Sequence, residues 1–102
     1  MTAPKKIKIG YKVYDVVWSK EPILHDGQRV DGLHSFSQDK LFIDASKKGA
    51  YAKDVLMHEI LHGIFDIWDI KTTDGEERVV TAISTGLVTV LNDNPQLRKY
   101  LT

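Results

Sequence analysis

The segment from His58 to His62 has the sequence HEILH and lies inside an apolar stretch with helical periodicity. Residues four apart in a helix share one face, with Cβ atoms roughly 5 to 6 Å apart, so both imidazoles can bind one metal ion. Glu59 lies about 100° further around the helix, beside the two imidazoles and not between them. HExxH on a helix is typical of zinc sites in which the glutamate is the general base. The segment therefore predicts a helix that carries a metal site.

The apolar residues around this segment predict a long, buried helix over about residues 50–69. Its histidines share one sector with Asp66, whereas the other sectors are apolar. Because polar groups are costly to bury without a partner, a metal ion is the expected partner of the two imidazoles. The apolar residues form two stripes at helical spacing, which are Leu56, Ile60, Ile64 and Ile67 in one and Leu61, Phe65 and Trp68 in the other.

The part of the chain before this helix, about residues 5–45, predicts a small sheet of three or four strands, antiparallel or mixed. Alternating apolar residues indicate one long strand over 6–20, or two strands that bend near Gly10. Turn signals mark a loop over 21–32, and a hairpin is predicted from 33–36 and 40–44. In the first strand, the odd positions that would share one face are Ile7, Ile9, Tyr11 and Val13.

A second helix is predicted over about residues 74–91, with one further helical turn over 96–100. Two residue pairs at its start have the spacing of a capping box, Thr73 with Glu76 and Asp74 with Glu77, so the first residue is uncertain by one position. Its apolar residues fit a helix packed on the first one, and they are Val79, Val80, Ile83, Leu87, Val90 and Leu91.

A zinc site with two histidines needs a third protein ligand. The extended pattern HExxHxxGxxH would require Gly at 65 and His at 68, which Phe65 and Trp68 do not match. Asp66 shares the histidine face, but three ligands along one straight helix would span about 12 Å. Asp66 is therefore predicted to orient the second imidazole. The remaining candidates are Glu76 and Glu77. If Thr73 and Glu76 form the capping box, Glu76 is engaged at the helix start, and Glu77 is then the favoured ligand.

Composition restricts the other possibilities. A chain of 102 residues without cysteine predicts a single domain, 1–102, that would hold a metal with histidine and carboxylate. Its 14 basic and 14 acidic residues give zero formal net charge, which argues against nucleic-acid binding. No apolar run suits a membrane span or a signal peptide, so we expect a cytoplasmic protein without a membrane partner. His25 and His34 are predicted outside the site, because neither has a partner at metal-ligand spacing.

The helix sequence MHEILHGIFDIWD, a short linker and then EERVVTAISTGLVTVLNDNP resemble a known family. They are similar to the small zincin-like metallopeptidases encoded by bacteriophages and prophages, which share a minimal gluzincin core with ImmA- and IrrE-type proteases. The resemblance implies an α+β, minimal zincin-like fold, with the sheet packed on the HExxH helix and a second helix. It also implies Zn²⁺ as the cofactor with His58, His62 and Glu77 as ligands, because the family's ExxV pattern before a Gly-Leu pair matches Glu77 and Val80.

For function, the resemblance implies a zinc-dependent metallopeptidase in which Glu59 takes a proton from the zinc-activated water that attacks a peptide bond. A peptide or protein substrate is expected to pair with residues 40–44 as an added strand, while 32–36 line the far side of the cleft. No Tyr or His has an evident position for stabilising an oxyanion. The alternative is a zinc-binding phage protein of the same fold that binds a host or phage protein without proteolysis. In either case the protein would act in the cytoplasm of a bacterial host.

Overall fold

A computed structural model describes residues 3–102, and over that range it shows an α+β fold with two sheets and three helices. The larger sheet is mixed and has four strands, one of the arrangements that the sequence allows, and a separate two-stranded hairpin accompanies it. In chain order the elements are β1 (Lys6–Ile9), β2 (Lys12–Ser19), β3 (Ile23–His25), β4 (Gln28–Val30), β5 (Gly32–Ser35), β6 (Lys40–Asp44), α1 (Gly49–Ile67), α2 (Glu76–Asp93) and α3 (Pro95–Leu101).

The strand order in the larger sheet is β1-β2-β6-β5. β1 and β2 are antiparallel, β2 and β6 are parallel, and β5 and β6 form the predicted antiparallel hairpin. The expectation that residues 40–44 offer their backbone to a substrate is wrong, because β6 already has a neighbouring strand on each side. The edge next to β6 is formed by β5.

β1 and β2 form a hairpin, and the turn between them changes which residues face the core. Gly10 has a φ of +60°, a conformation that glycine adopts readily, and the pairing of Ile9 with Lys12 closes the turn. Ile9 is buried, but Tyr11 and Val13 are 74% and 48% exposed. The even-numbered Tyr14 is fully buried instead. The prediction of one odd-numbered face through residue 13 is therefore wrong beyond the turn.

The predicted loop over residues 21–32 contains a second hairpin, formed by β3 and β4. Asp26 and Gly27 connect the two strands, with φ angles of 51° and 78°. Such a pair of positive φ angles is typical of the tight turns that join antiparallel strands, and Asp-Gly is a favoured sequence for them. The hairpin leads directly into β5 and so stands at one end of the cleft described below.

α1 is central, as predicted, because each of its apolar stripes contacts a different neighbour. Leu61 and Phe65 pack on Val80 of α2. Trp68 does not continue this stripe, because α1 ends at Ile67, and its side chain is 58% exposed. The other stripe covers the sheet, where Leu56, Ile60, Ile64 and Ile67 pack against the buried Ile9, Tyr14 and Leu41. The remaining sector of α1, which carries the histidines, lies between β5 and α2.

α2 begins at Glu76, and its N-cap residue is Gly75, which has a φ of 87° and gives no side-chain cap. Both predicted capping boxes are therefore wrong. The predicted packing of α2 on the first helix holds for Val80, which is fully buried, but not for the whole stripe. Three of its apolar residues, Ile83, Leu87 and Val90, are 39–45% exposed. The further helical turn predicted over 96–100 is observed as α3.

Within residues 3–102, none of the helices combines the length and the apolar character needed to cross a membrane.

Candidate metal centre

α1 brings His58 and His62 together one helical turn apart. Their ring centroids are separated by 4.8 Å, and the two Nε2 atoms are 3.2 Å apart. The side chains are 19% and 15% exposed, so both rings are partly shielded from water but can be reached from the cleft. Two imidazole nitrogens on one helix face are thus directed to a single point.

Glu77, in the first turn of α2, contacts both rings. Its Oε1 lies 2.6 Å from Nε2 of His58, and its Oε2 lies 3.1 Å from Nε2 of His62. Ligand atoms of the three residues all lie within 4.8 Å of one another, so the group could hold a metal ion. The structure therefore brings together the three side chains that the sequence predicts as ligands.

The donor set of this group fits zinc. Two imidazole nitrogens and one carboxylate are a set used by catalytic zinc sites, which keep a fourth position open. Tetrahedral zinc with bonds of 2.0 to 2.1 Å separates its ligand atoms by about 3.3 Å. The two Nε2 atoms are 3.2 Å apart, close to that value, while the contacts of 2.6 and 3.1 Å to the two oxygens of Glu77 are shorter.

Glu76 contacts the other side of the His62 ring, where its Oε2 lies 2.6 Å from Nδ1. Since a carboxylate only accepts hydrogen bonds, Nδ1 is the donor, and in a neutral ring Nε2 keeps its lone pair for a metal. The prediction that Asp66 orients this imidazole is wrong. Asp66 instead lies 3.7 Å from Nδ1 of His34, on the sheet side of α1. Glu76 takes the predicted role because α2 begins directly beside His62.

The charges around His62 determine its protonation. Burial lowers the pKa of His62, but the hydrogen bond to Glu76 and the negative charges of Glu59 and Glu77 outweigh it, so the pKa lies above its usual value. Without a metal, a proton shared among these groups would compensate the carboxylates. A divalent cation would provide the same compensation with two positive charges.

Glu59 is buried between α1 and β5, with 6% of its surface exposed. This burial raises the pKa of Glu59 from 4.5 to about 7, while the charge of His62 and a hydrogen bond from the backbone of His34 oppose the rise. The carboxylate fits there because residue 32 is glycine, where a Cβ atom would lie 2.8 Å from Oε2. A carboxyl group with a pKa near 7 can both accept and return a proton at neutral pH.

His34 lies at the site, although its sequence context predicts the opposite. In β5 it points towards α1, as Gly32 does, and its side chain is only 9% exposed. Burial raises the pKa of Tyr14 to about 12, so its hydroxyl keeps a proton, and it lies 2.9 Å from Nε2 of His34. The two-residue spacing between Gly32 and His34 is the sequence signal for this shared face, because alternate residues of a strand lie on one side. His25, by contrast, is exposed on the rim of the cleft, 3.4 Å from Asp26.

The metal-ligand group opens into a cleft of about 580 Å³ between β5, α1 and α2. At the end near the start of α1, the Tyr51 hydroxyl donates a hydrogen bond to Asp31. On the α2 side, the Thr85 hydroxyl lies 3.3 Å from a carboxylate oxygen of Asp54. The cleft is therefore lined by several carboxylates, so its surroundings favour a cation.

In comparisons with known proteins, no family model, no curated protein and no solved structure matches the chain.

Proposed function

We propose that this protein is a zinc-dependent metallopeptidase with a minimal zincin-like, gluzincin-type fold. In this proposal His58, His62 and Glu77 bind zinc, and Glu59 is the general base. The observation that carries it is the convergence of three ligand atoms within 4.8 Å beside a buried carboxylate. The resemblance of the two helices to phage-encoded metallopeptidases supports the same function.

The residues around the ligands suit peptide hydrolysis. Bound zinc would supply a Lewis acid that acidifies water and polarises a carbonyl group. Glu59, with a pKa of about 7, can accept a proton from the attacking water and pass it to the leaving nitrogen. Glu76 holds the proton of His62 on Nδ1, which leaves Nε2 free to act as a ligand.

The open edge of β5 suits an extended peptide. The Asp31 carbonyl accepts a hydrogen bond from the Asp44 amide, and antiparallel pairs alternate between bonded and non-bonded residues. Gly32 and His34 therefore direct their backbone groups away from β6, towards the cleft. Because the His34 amide already donates to Glu59, we propose that a substrate pairs with the backbone groups of Gly32 and the carbonyl of His34, with Gly32 next to the general base.

One observation favours the second candidate, a zinc-binding protein that acts by binding a host or phage protein. Two of the groups that line the cleft and could stabilise an oxyanion, His34 and Tyr51, are already engaged. His34 is bonded to Tyr14, and Tyr51 is bonded to Asp31. A metal site without such a group fits binding better than turnover.

Metal content and a Glu59→Gln variant separate these functions. We expect purified protein to hold one zinc per chain, and His58→Ala to lose it. Glu59→Gln is the matched control, because it should keep zinc and lose cleavage of a proteome-derived peptide library analysed by mass spectrometry. Protein without stoichiometric zinc would contradict the metal site. Zinc-loaded wild-type protein that cleaves no peptide would contradict the peptidase and favour the binding protein.

A further inference from the structure

The outer face of α2, on the side opposite α1, is exposed and almost free of charge. Val80 and Ser84 are the buried residues of this helix, and they lie on its inner side. From residue 79 to residue 92 the sequence has no Lys, Arg, Asp or Glu. Exposed helices normally carry charged residues on the face that meets water. The outer face consists of Arg78, Ala82, Gly86, Thr89 and Asp93, with Ile83 and Val90 along one flank, and all seven residues are exposed.

Gly86 lies at the middle of this face. A Cβ atom added there would meet nothing within 4 Å, so packing inside the chain does not require glycine. Glycine is among the least favourable residues for a helix interior. Together with Ala82 one turn before it, Gly86 would allow another helix backbone to approach closely. This position therefore suits contact with a second molecule better than contact with water.

The charged residues of the outer face stand at its two ends, Arg78 at the start and Asp93 at the end. In the part of the chain from residue 3 onwards, neither one forms an ion pair. If two copies of α2 pack antiparallel about Gly86, residues before Gly86 in one copy lie opposite residues after Gly86 in the other copy. A residue eight positions before Gly86 then lies close to one seven positions after it. Arg78 of each copy then lies opposite Asp93 of the other copy. A parallel pair would instead oppose like charges, which is unfavourable.

The same antiparallel arrangement matches the apolar flank. Ile83 is three residues before Gly86 and Val90 is four residues after it. In the antiparallel pair, Ile83 of each copy therefore packs on Val90 of the other copy. These side chains are 39% and 45% exposed in the single chain. Their burial would remove apolar surface from water on both copies.

We propose that two copies of this chain form a symmetric dimer through antiparallel contact of their α2 helices, centred on Gly86. Glu77, the proposed metal ligand on α2, faces α1 on the other side of the helix, so the dimer does not depend on the proposed activity. The helix face is a strip of about 27 Å by 10 Å. Since specific interfaces typically bury about 800 Å² per partner, we expect a weak dimer that dissociates at micromolar concentration.

Sedimentation velocity over a wide range of concentration tests the dimer with the full-length protein. We expect a reversible monomer–dimer equilibrium for the wild type. Asp93→Arg should raise the dissociation constant at least about tenfold, because it places two cations together. Arg78→Asp combined with Asp93→Arg should restore it to within a few-fold of the wild type. Glu21→Arg, the same charge reversal in a remote loop, is the control and should change nothing.

Gly86→Ala tests the centre of the contact. We expect this variant to raise the thermal stability of the monomer, because alanine favours helix, and to weaken the dimer, because the added methyl groups meet at the two-fold axis. A wild-type protein that stays monomeric at the highest concentration would overturn the proposal. So would a double charge variant that fails to restore association, or a Gly86→Ala variant that dimerises as well as the wild type.

Discussion

The burial of Glu59 should make the stability of the metal-free protein depend on pH in a way that Glu59→Gln removes. Its pKa is raised from 4.5 to about 7, with burial as the main cause. The folded state therefore holds this proton more tightly than the unfolded chain does. The resulting stabilisation is fully present below pH 4.5 and is lost as the pH rises through 7. Glutamine has nearly the same shape and no titrating group, so the variant lacks this dependence.

The size of the effect follows from the two pKa values. A rise from 4.5 to about 7 corresponds to about 3 kcal/mol of unfolding free energy over the full range of pH. Most of it, about 2.5 kcal/mol, is lost between pH 5 and pH 8. His62 also has a raised pKa and changes stability in the same direction, but it is present in both proteins. The difference between the two proteins therefore reports Glu59 and its coupling to His62.

Urea unfolding in the presence of a chelator, followed by tryptophan fluorescence at several pH values, measures this difference. We expect Glu59→Gln to gain stability relative to the wild type by about 2 to 3 kcal/mol between pH 5 and pH 8. Glu21→Gln, at an exposed loop position, is the matched control and should follow the wild-type curve. If the Glu59→Gln and wild-type curves run parallel, Glu59 is not held in a desolvated position and the reasoning is refuted.

Three other predictions concern the surroundings of the site. In a chelator competition assay, Glu76→Gln should weaken zinc binding about 10- to 100-fold, and Glu77→Gln should weaken it further. The reverse order would make Glu76 the ligand and Glu77 the residue that orients His62. Gly32→Ala should destabilise the fold by about 1 to 3 kcal/mol in urea unfolding, because its methyl group meets Glu59, and it should reduce the proposed turnover without loss of the proposed zinc. Tyr14→Phe should cost about 1 to 3 kcal/mol in the same assay by leaving Nε2 of His34 buried without its partner, and an unchanged midpoint would contradict that hydrogen bond.

The sequence predicts those parts of the fold that depend on local periodicity. The helix over 50–69 and the hairpin over 33–44 have strong apolar patterns, and both are present close to the predicted bounds. The prediction that odd-numbered residues face the core fails after Gly10 for a physical reason. The tight turn reverses the chain, so even-numbered residues face the core in β2. Which strand lies at the edge of a sheet also depends on contacts between distant segments, so alternation within residues 40–44 does not reveal it.

The candidate site likewise combines features that local spacing predicts with features that depend on how distant segments pack. The spacing of His58 and His62 fixes their common face, because one helix carries both. The roles of Asp66 and Glu76 depend on where α2 begins in space, which neither helix encodes alone. His34 has no neighbour at ligand spacing, and its place beside α1 follows only from the pairing of β5 with β6. The roles of Asp66, Glu76 and His34 could therefore not be read from the sequence, because the packing of one element on another decides them.

Glu76 and Glu77 are consecutive, and their contacts make the chain sensitive to the length of the connection between α1 and α2. Deletion of one residue from the segment 68–75 would advance α2 by about 100° of helical phase. Arg78 would then stand where Glu77 contacts the histidines, and a cation there would repel a metal. Insertion of one residue would bring Glu76 to that position and keep a carboxylate ligand. Variants of this connection should therefore tolerate the insertion of one residue better than the deletion of one, while Gly75 keeps its left-handed backbone.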